Sequence, residues 1–282
     1  MFINFNGAII RSDKAILTAD NRGFRYGDGL FETIKVVNGR ILLYQYHFDR
    51  LITGTHLLQF HLPLSFTAEN LSRQILEICS RNGHDECARV RLVVFRRDGG
   101  LYDVSDQAPN YVIQSWALPT GNTILPAQTG GWAIDVFPDG RKSCDPFSNL
   151  KSNNYLIYVL AALYAKSHQV NDCLVLNNHG RIADSTIANL FYCKNGRVFT
   201  PPLSEGGVAG VMRRFLMETL PGEGFDLSEK EATPEDLENA DEVFLTNALK
   251  GIQWVGSFRG VSYIPQLTTA ISEVVNRLMR VY

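Results

Sequence analysis

The feature that most constrains this chain of 282 residues is an interruption. Between Leu118 and Pro126 the sequence reads LPTGNTILP, with prolines at both sides and no helical or strand period. Proline fixes φ and removes a backbone donor, so such a stretch continues neither a helix nor a central strand. Two domains are therefore expected, residues 1–117 and 128–282, with a linker at 118–127.

The hydrophobic pattern on each side predicts mixed strands and helices. In KVVNGRILL, Lys35 to Leu43, Asn38-Gly39 sits between two apolar runs and predicts a two-residue hairpin, because both turn positions need positive φ. Phe48, Leu51, Ile52, Thr55 and Leu58 recur at helical spacing, and Pro63 closes that segment. Leu71, Ile75 and Ile78 mark a second helix ending near Gly83, and strands are expected at Val90 to Phe95 and Tyr111 to Ser115. After the break come a strand near Trp132 to Val136 and a helix from about Asn154 to Ser167. That helix is apolar on almost every face and is expected to be buried. Short strands at Cys173 to Leu176, Leu190 to Tyr192 and Val198 to Thr200 then alternate with turns at Asn178-His179-Gly180 and Asn195-Gly196. Without a steady βαβ rhythm, the reading is α+β rather than a doubly wound parallel sheet.

Composition excludes several classes. A formal charge of -2 gives no general attraction to nucleic acid or acidic membrane. No apolar run approaches the roughly 20 residues needed to cross a bilayer. Met1 to Asn6 shows neither the basic segment nor the apolar stretch of a secretory leader. The five cysteines are scattered and odd in number, which fits neither a disulfide framework nor a zinc ribbon, so no metal is expected and the cytoplasm is the expected place.

Four features carry chemistry. Gly206-Gly207-Val208-Ala209-Gly210-Val211-Met212-Arg213 runs from a glycine-rich turn into a helical pattern, where free backbone N–H groups make an anion site; a plain flexible loop is the alternative. Lys151, in Asn149 to Tyr155, precedes the apolar helix. Burial disfavours a charged amine and lowers its pKa, the condition for attack on an aldehyde, whereas a lysine snorkelling to solvent would have no such role. In Arg181 to Phe191, Asp184 precedes an apolar strand, and its carboxylate could keep a pyridine nitrogen protonated or simply be solvated. Arg50, in His47-Phe48-Asp49-Arg50-Leu51, is a natural phosphate clamp or a surface ion pair.

Taken in order, these segments resemble the class IV aminotransferase family, the fold-type IV pyridoxal-phosphate enzymes that include branched-chain and D-amino-acid transaminases and aminodeoxychorismate lyases. The resemblance begins at Asn21-Arg22-Gly23-Phe24-Arg25-Tyr26-Gly27-Asp28-Gly29-Leu30-Phe31-Glu32-Thr33, passes through His47 to Leu51 and the Lys151 segment, and ends in the signature from Asp184 to Arg213. It implies a smaller N-terminal α/β domain and a larger C-terminal domain with a barrel-like sheet and helices. It also implies pyridoxal 5′-phosphate as cofactor and a homodimer.

The resemblance assigns roles residue by residue. Lys151 corresponds to the Schiff-base lysine, and Arg50 with the N–H groups of Val211 and Met212 to the phosphate site. Asp184 stands where the family has a glutamate facing the pyridine nitrogen, one methylene shorter. Asn247 and Ala248 line the cofactor side, and Phe31, Arg96 and Leu249 the substrate side. Lys151-Ser152-Asn153-Asn154 and Leu245-Thr246-Asn247-Ala248-Leu249 are similar to the lyase group, whereas Arg97-Asp98-Gly99-Gly100 lacks the histidine of the D-specific carboxylate trap. Amino-group transfer between an amino acid and a 2-oxo acid is the first expectation. Pyruvate elimination from 4-amino-4-deoxychorismate is the second, and a non-catalytic cofactor-binding protein the contrasting class.

Overall fold

The computed structural model describes residues 1–104, 106–119 and 130–280. The chain divides into two compact units, Met1–Asn122 with Lys151–Asn154, and Thr123–Leu150 with Tyr155–Tyr282. From residue 120 on, the expected linker at 118–127 lies outside the described residues.

The first unit runs β1 (Phe2–Phe5), β2 (Ala8–Arg11), α1 (Arg22–Tyr26), β3 (Gly29–Val37), β4 (Arg40–Ile41), α2 (Tyr44–Leu57), α3 (Ala68–Arg81), β5 (Cys87–Arg96) and β6 (Pro109–Ala117). Its strands form one sheet in the order β2-β1-β6-β5-β3-β4, antiparallel throughout. The β3–β4 hairpin turns on Asn38 and Gly39, both at positive φ (48° and 73°), as their residue types predict. Period-two alternation buries Leu30, Ile34 and Val36 of β3 with Val90, Leu92 and Val94 of β5. The helices α2 and α3 pack on this sheet and bury Leu51, Leu71, Ile75 and Ile78. The opposite face carries Phe31, Thr33 and Lys35 beside Arg89 and Arg91, its partners across the β3–β5 register.

Lys151–Asn154 joins the first unit although both flanking segments belong to the second. Hydrogen bonding is the reason. The Phe31 N–H donates to the Lys151 carbonyl (2.9 Å), Ser152 bridges Leu30, and the Asn153 N–H donates to the Gly29 carbonyl (2.9 Å). The segment thus extends the edge of β3 by a few residues.

The second unit runs β7 (Trp132–Lys142), α4 (Leu156–Ser167), β8 (Asp172–Asn177), β9 (Ile182–Ser185), β10 (Asn189–Lys194), β11 (Arg197–Thr200), α5 (Val211–Thr219), β12 (Leu227–Glu229), α6 (Pro234–Glu238), β13 (Glu242–Asn247), β14 (Gly251–Phe258), β15 (Val261–Ser262) and α7 (Leu267–Met279). One nine-stranded, barrel-like sheet runs β12-β11-β10-β13-β14-β7-β8-β9, with β15 on β14. Its core includes Leu174, Leu190, Leu245, Val255 and Phe258. The inner face of α4, Tyr158, Ala161 and Ala165, packs with Phe137, Cys173 and Val175. The expectation that this helix is buried all round is corrected: Leu156, Val159, Leu160 and Leu163 are exposed, at 66%, 52%, 46% and 59%. A single sheet covers one stripe of a helix, and these four lie on the other side at spacings of three and four. Among the described residues no helix is long and apolar enough to cross a membrane.

The start of β3 is a point of close approach. A Cβ on Gly29 would lie 2.4 Å from the Val94 carbonyl oxygen and 2.6 Å from Asn153 Nδ2. Gly29→Ala should therefore destabilise the protein by about 1–3 kcal/mol through overpacking. Urea unfolding of the purified variant measures this; an unchanged midpoint would mean that the Lys151 segment shifts away at no cost.

Candidate active site

In the first unit the chemistry starts from a buried carboxylate. Glu32 on β3 points to the helix-covered side of the sheet and is 1% exposed. On α2, His47 and Arg50 are three residues apart and so share a face. His47 Nδ1 lies 2.6 Å from Glu32 Oε2; Arg50 donates from Nε to Oε1 (2.7 Å) and from Nη2 to Oε2. The fork-on-fork pair uses two of the five guanidinium donors and fixes the plane of Arg50. Burial alone would raise the Glu32 carboxyl, but the charges of Arg50 and His47 and their hydrogen bonds hold it at about 2, below its ordinary 4.5. For His47, burial pushes the imidazole down against the pull of Glu32, and the positive charges of Arg50 and Lys151 push the same way. With Nδ1 turned to Glu32, His47 Nε2 is buried, with no partner among the described residues.

Lys151 lies on the other side of the β3 backbone from this group in sequence register, beside Phe31. Its Nζ is 4.7 Å from the Phe31 ring centroid, and the Arg91 guanidinium carbon is 4.1 Å from the same centroid. One aromatic ring thus sits within cation–π range of an amine and a guanidinium. Lys35, on the same strand face, is held below its ordinary value by burial, partly offset by Cys87. Arg96, expected on the substrate side, has its donors committed elsewhere. Its Nε donates to Asp28 (3.0 Å), which also takes Arg22 Nε (3.1 Å), and its Nη groups donate to the carbonyls of Leu58 and Gln59 at the end of α2. The face of Arg96 rests on Phe60 (4.2 Å). This arginine ties α2 to the sheet.

In the second unit Asp184 on β9 is 2% exposed, and three donors reach one of its oxygens. Oδ2 accepts from Tyr158 Oη (2.9 Å) and the Val208 N–H (2.8 Å), with Lys142 Nζ at 3.4 Å. Oδ1 is buried with no partner among the described residues. The glycine-rich loop above it is held at several points. Asn149 Nδ2 donates to the carbonyls of Leu203 (2.8 Å) and Gly207 (2.7 Å), its own carbonyl accepts from Ala209 N–H (2.9 Å), and Asn189 Nδ2 donates to the Val208 carbonyl (2.8 Å). Glu205, just before the glycines, is buried against Arg181 and Asn177; their hydrogen bonds outweigh the rise that burial would cause and hold its carboxyl below the ordinary value. Gly210 precedes α5, whose first N–H groups, on Val211 and Met212, have no side-chain cap. A Cβ at Gly210 would overlap Asn189 Oδ1 at 1.8 Å, so only glycine lets the loop enter the helix here. The uncapped start of α5 leaves backbone N–H groups of the kind that can take an anion. Asn247 spends its amide oxygen on its own turn, accepting from the N–H groups of Leu249 (3.0 Å) and Lys250 (2.8 Å), so it shapes the loop holding Ala248 and Leu249.

The chain matches the model of the family described as "Amino-transferase class IV" over residues 29–258. It belongs to the class IV aminotransferases. Aminodeoxychorismate lyase of Vibrio harveyi is 33% identical over 235 residues, covering 82% of this chain and 83% of the relative. D-alanine aminotransferase of Bacillus licheniformis is 25% identical over 271 residues, covering 92% and 89%. Among solved structures, the branched-chain aminotransferase of Thermoproteus uzoniensis, solved with norvaline, superposes with a TM-score of 0.88 at 24% identity, covering 99% of this chain and 94% of that one.

As a class IV aminotransferase the protein is an enzyme that uses pyridoxal 5′-phosphate. Its own residues suit that group. In the second unit the orphaned Oδ1 of Asp184 can accept from a protonated ring nitrogen and the uncapped α5 start can take an anion; in the first, Lys151 offers an amine of the kind that reacts with an aldehyde. Reading the sequence missed Lys142, Tyr158, Glu32 and Arg91. For Arg91 a signal existed, since Arg89-Val90-Arg91 alternates cations on one strand face. Lys142 and Tyr158 are far apart in sequence from Asp184, and no local pattern marks them.

The depressed Glu32 carboxyl sets a pH dependence. Its folded value lies below its unfolded one, so the stabilisation is complete above about pH 4.5 and is lost as pH falls toward 2. Glu32→Gln should flatten that part of the acid-unfolding curve and cost on the order of 3 kcal/mol at neutral pH, because it removes the negative charge opposite Arg50. Urea midpoints of both proteins between pH 3 and 7 measure this; parallel curves would mean that the carboxyl titrates alike in both states.

Proposed function

We propose that this class IV enzyme is an amino-acid transaminase that moves an amino group between an amino acid and a 2-oxo acid, with Lys151 as its catalytic residue. The observation that carries the reading is the Lys151–Phe31–Arg91 arrangement, in which an amine and a guanidinium flank one ring at 4.7 and 4.1 Å. An α-amino acid needs both: a base at its Cα and a fixed cation for a carboxylate. Arg91, beside Phe31, takes the substrate role that the resemblance suggested for Arg96, and the resemblance gives Leu249 a substrate role as well. The family likeness supports a phosphate role for Arg50 and for the N–H groups of Val211 and Met212, a ring-nitrogen role for Asp184, and a cofactor-side role for Asn247 and Ala248.

When bound, pyridoxal phosphate supplies an aldehyde that reacts with amines and a ring that draws charge from the substrate Cα. Lys151 would hold that group through its amine and, once released from it, would take the Cα proton of the substrate. In transamination Lys151 would return that proton at C4′. The second reading is 4-amino-4-deoxychorismate lyase, in which removal of the same proton is followed by loss of pyruvate. It is supported by the 33% identity to the Vibrio harveyi lyase and by the Thr246-Asn247-Ala248-Leu249 turn. The cations Lys35, Arg89 and Arg91 on one sheet face also suit a substrate with more than one carboxylate.

Holoenzyme should be assayed with L- and D-amino acids against 2-oxoglutarate and pyruvate, and in parallel with aminodeoxychorismate for 4-aminobenzoate. Keto-acid formation that Lys151→Ala lowers by at least about 10⁴-fold is the expected result. 4-Aminobenzoate without keto acid would give the lyase; borohydride fixation of cofactor on Lys151 with neither product would leave a binding protein.

The partner supported by the family likeness is a second copy of the chain. The exposed stripe Leu156, Val159, Leu160 and Leu163 on α4 is an apolar face of the kind a dimer covers. The five cysteines are free, in keeping with a cytoplasmic site. Sedimentation should give a dimer that Leu160→Glu dissociates; a monomeric wild-type protein at micromolar concentration would remove the homodimer from the reading.

A further inference from the structure

The hydrogen bonds around Asp184 are one-sided. Tyr158 on α4, the Val208 N–H in the glycine-rich loop and Lys142 at the end of β7 all address Oδ2. Oδ1, equally buried, receives nothing among the described residues. The order of donors follows from the partners. Lys142 has only protons to give, and it gives them to the Tyr158 oxygen and to the Ser148 carbonyl (3.2 Å). Tyr158 therefore keeps its own proton for Asp184. Burial, and then the Asp184 charge, raise its phenol well above the ordinary value, so it stays a donor. The Lys142 ammonium, itself 8% exposed, offsets the carboxylate charge where water cannot.

We propose that Lys142 and Tyr158 are positioning residues that lock Asp184 through Oδ2, so that Oδ1 is presented to the protonated ring nitrogen of the cofactor. The inference rests on the cofactor-facing role given to Asp184 above. It also accounts for the aspartate. The three donors surround a carboxylate at the end of a short side chain, and a glutamate would carry its oxygens about 1.5 Å further, past them. A residue one methylene shorter does not weaken this arrangement. It is what the Lys142–Tyr158 clasp requires.

The test compares two ligands on apoenzyme: pyridoxal phosphate and its analogue with carbon in place of the ring nitrogen, each followed by absorbance and by equilibrium dissociation. Wild-type protein should bind pyridoxal phosphate at least about 10-fold more tightly than the analogue, the scale of a charge-assisted hydrogen bond. Lys142→Met should erase most of that preference by weakening pyridoxal phosphate alone, Lys142→Arg should restore it, and Tyr158→Phe, which keeps the ring packing, should reduce it. Equal loss of both ligands in Lys142→Met and Tyr158→Phe, or no change in either, would overturn the proposal. A wild-type protein that does not distinguish the two ligands would instead overturn the role of Asp184. Should Lys142→Met fail to fold, Tyr158→Phe and Lys142→Arg decide the matter.

Discussion

A carboxylate withdrawn from water must be matched by donors and positive charge, and in this protein two such carboxylates, Glu32 and Asp184, determine how the functional residues are held. Each costs several kcal/mol to bury unless compensated, and each is compensated by a cation from a different element. Arg50 of α2 meets Glu32 of β3, and Lys142 of β7 faces Asp184 of β9. The consequence is geometric. A side chain anchored at one end by a two-pronged or three-donor contact has few orientations left, so its remaining polar edge is fixed before any ligand arrives.

The same economy of backbone and side-chain bonds shapes the glycine-rich loop. Asparagines 149, 177 and 189 donate to the carbonyls of Leu203, Glu205, Gly207 and Val208 and hold its course, leaving the first N–H groups of α5 without a side-chain cap. Buried backbone groups are almost always paired, so a helix start left without a side-chain cap in a well-bonded loop points to an anion as its natural complement. Glycines here serve close approach rather than flexibility. Gly210 has no room for a Cβ beside Asn189, and Gly29 none beside Val94 and Asn153.

Lys151 gains its place from the edge of β3. Because the segment Lys151–Asn154 hydrogen-bonds to residues 29–31, backbone register sets the Lys151 amine against Phe31. That register also sets Arg91 on the neighbouring strand against the same ring. Class IV chemistry asks for one amine, one acid toward the ring nitrogen and one phosphate site, and the roles proposed above would draw them from a strand edge, a strand interior and a helix start. Transaminase and lyase share all three, so the distinction between them falls to the residues around the substrate.

Much of this was legible in the sequence. The Asn38-Gly39 hairpin, the periodicity of α2 and α3, the short strands of the second unit and the glycine turn into α5 all follow from local preferences that tertiary contacts did not oppose. The order of Lys151, Asp184 and Gly206 to Arg213 identified the family and its cofactor. Tertiary structure alone decided what depends on partners distant in the chain: that Arg96 is bound into the scaffold while Arg91 faces Phe31, that α4 leaves four large apolar side chains exposed, and that Lys142 and Tyr158 clasp Asp184. The physical reason is range. Helix and turn preferences act over a few residues and can be read from spacing, whereas a buried charge is assigned its partner only when the sheet brings residues 142, 158 and 184 within 3.4 Å of one another's donors and acceptors.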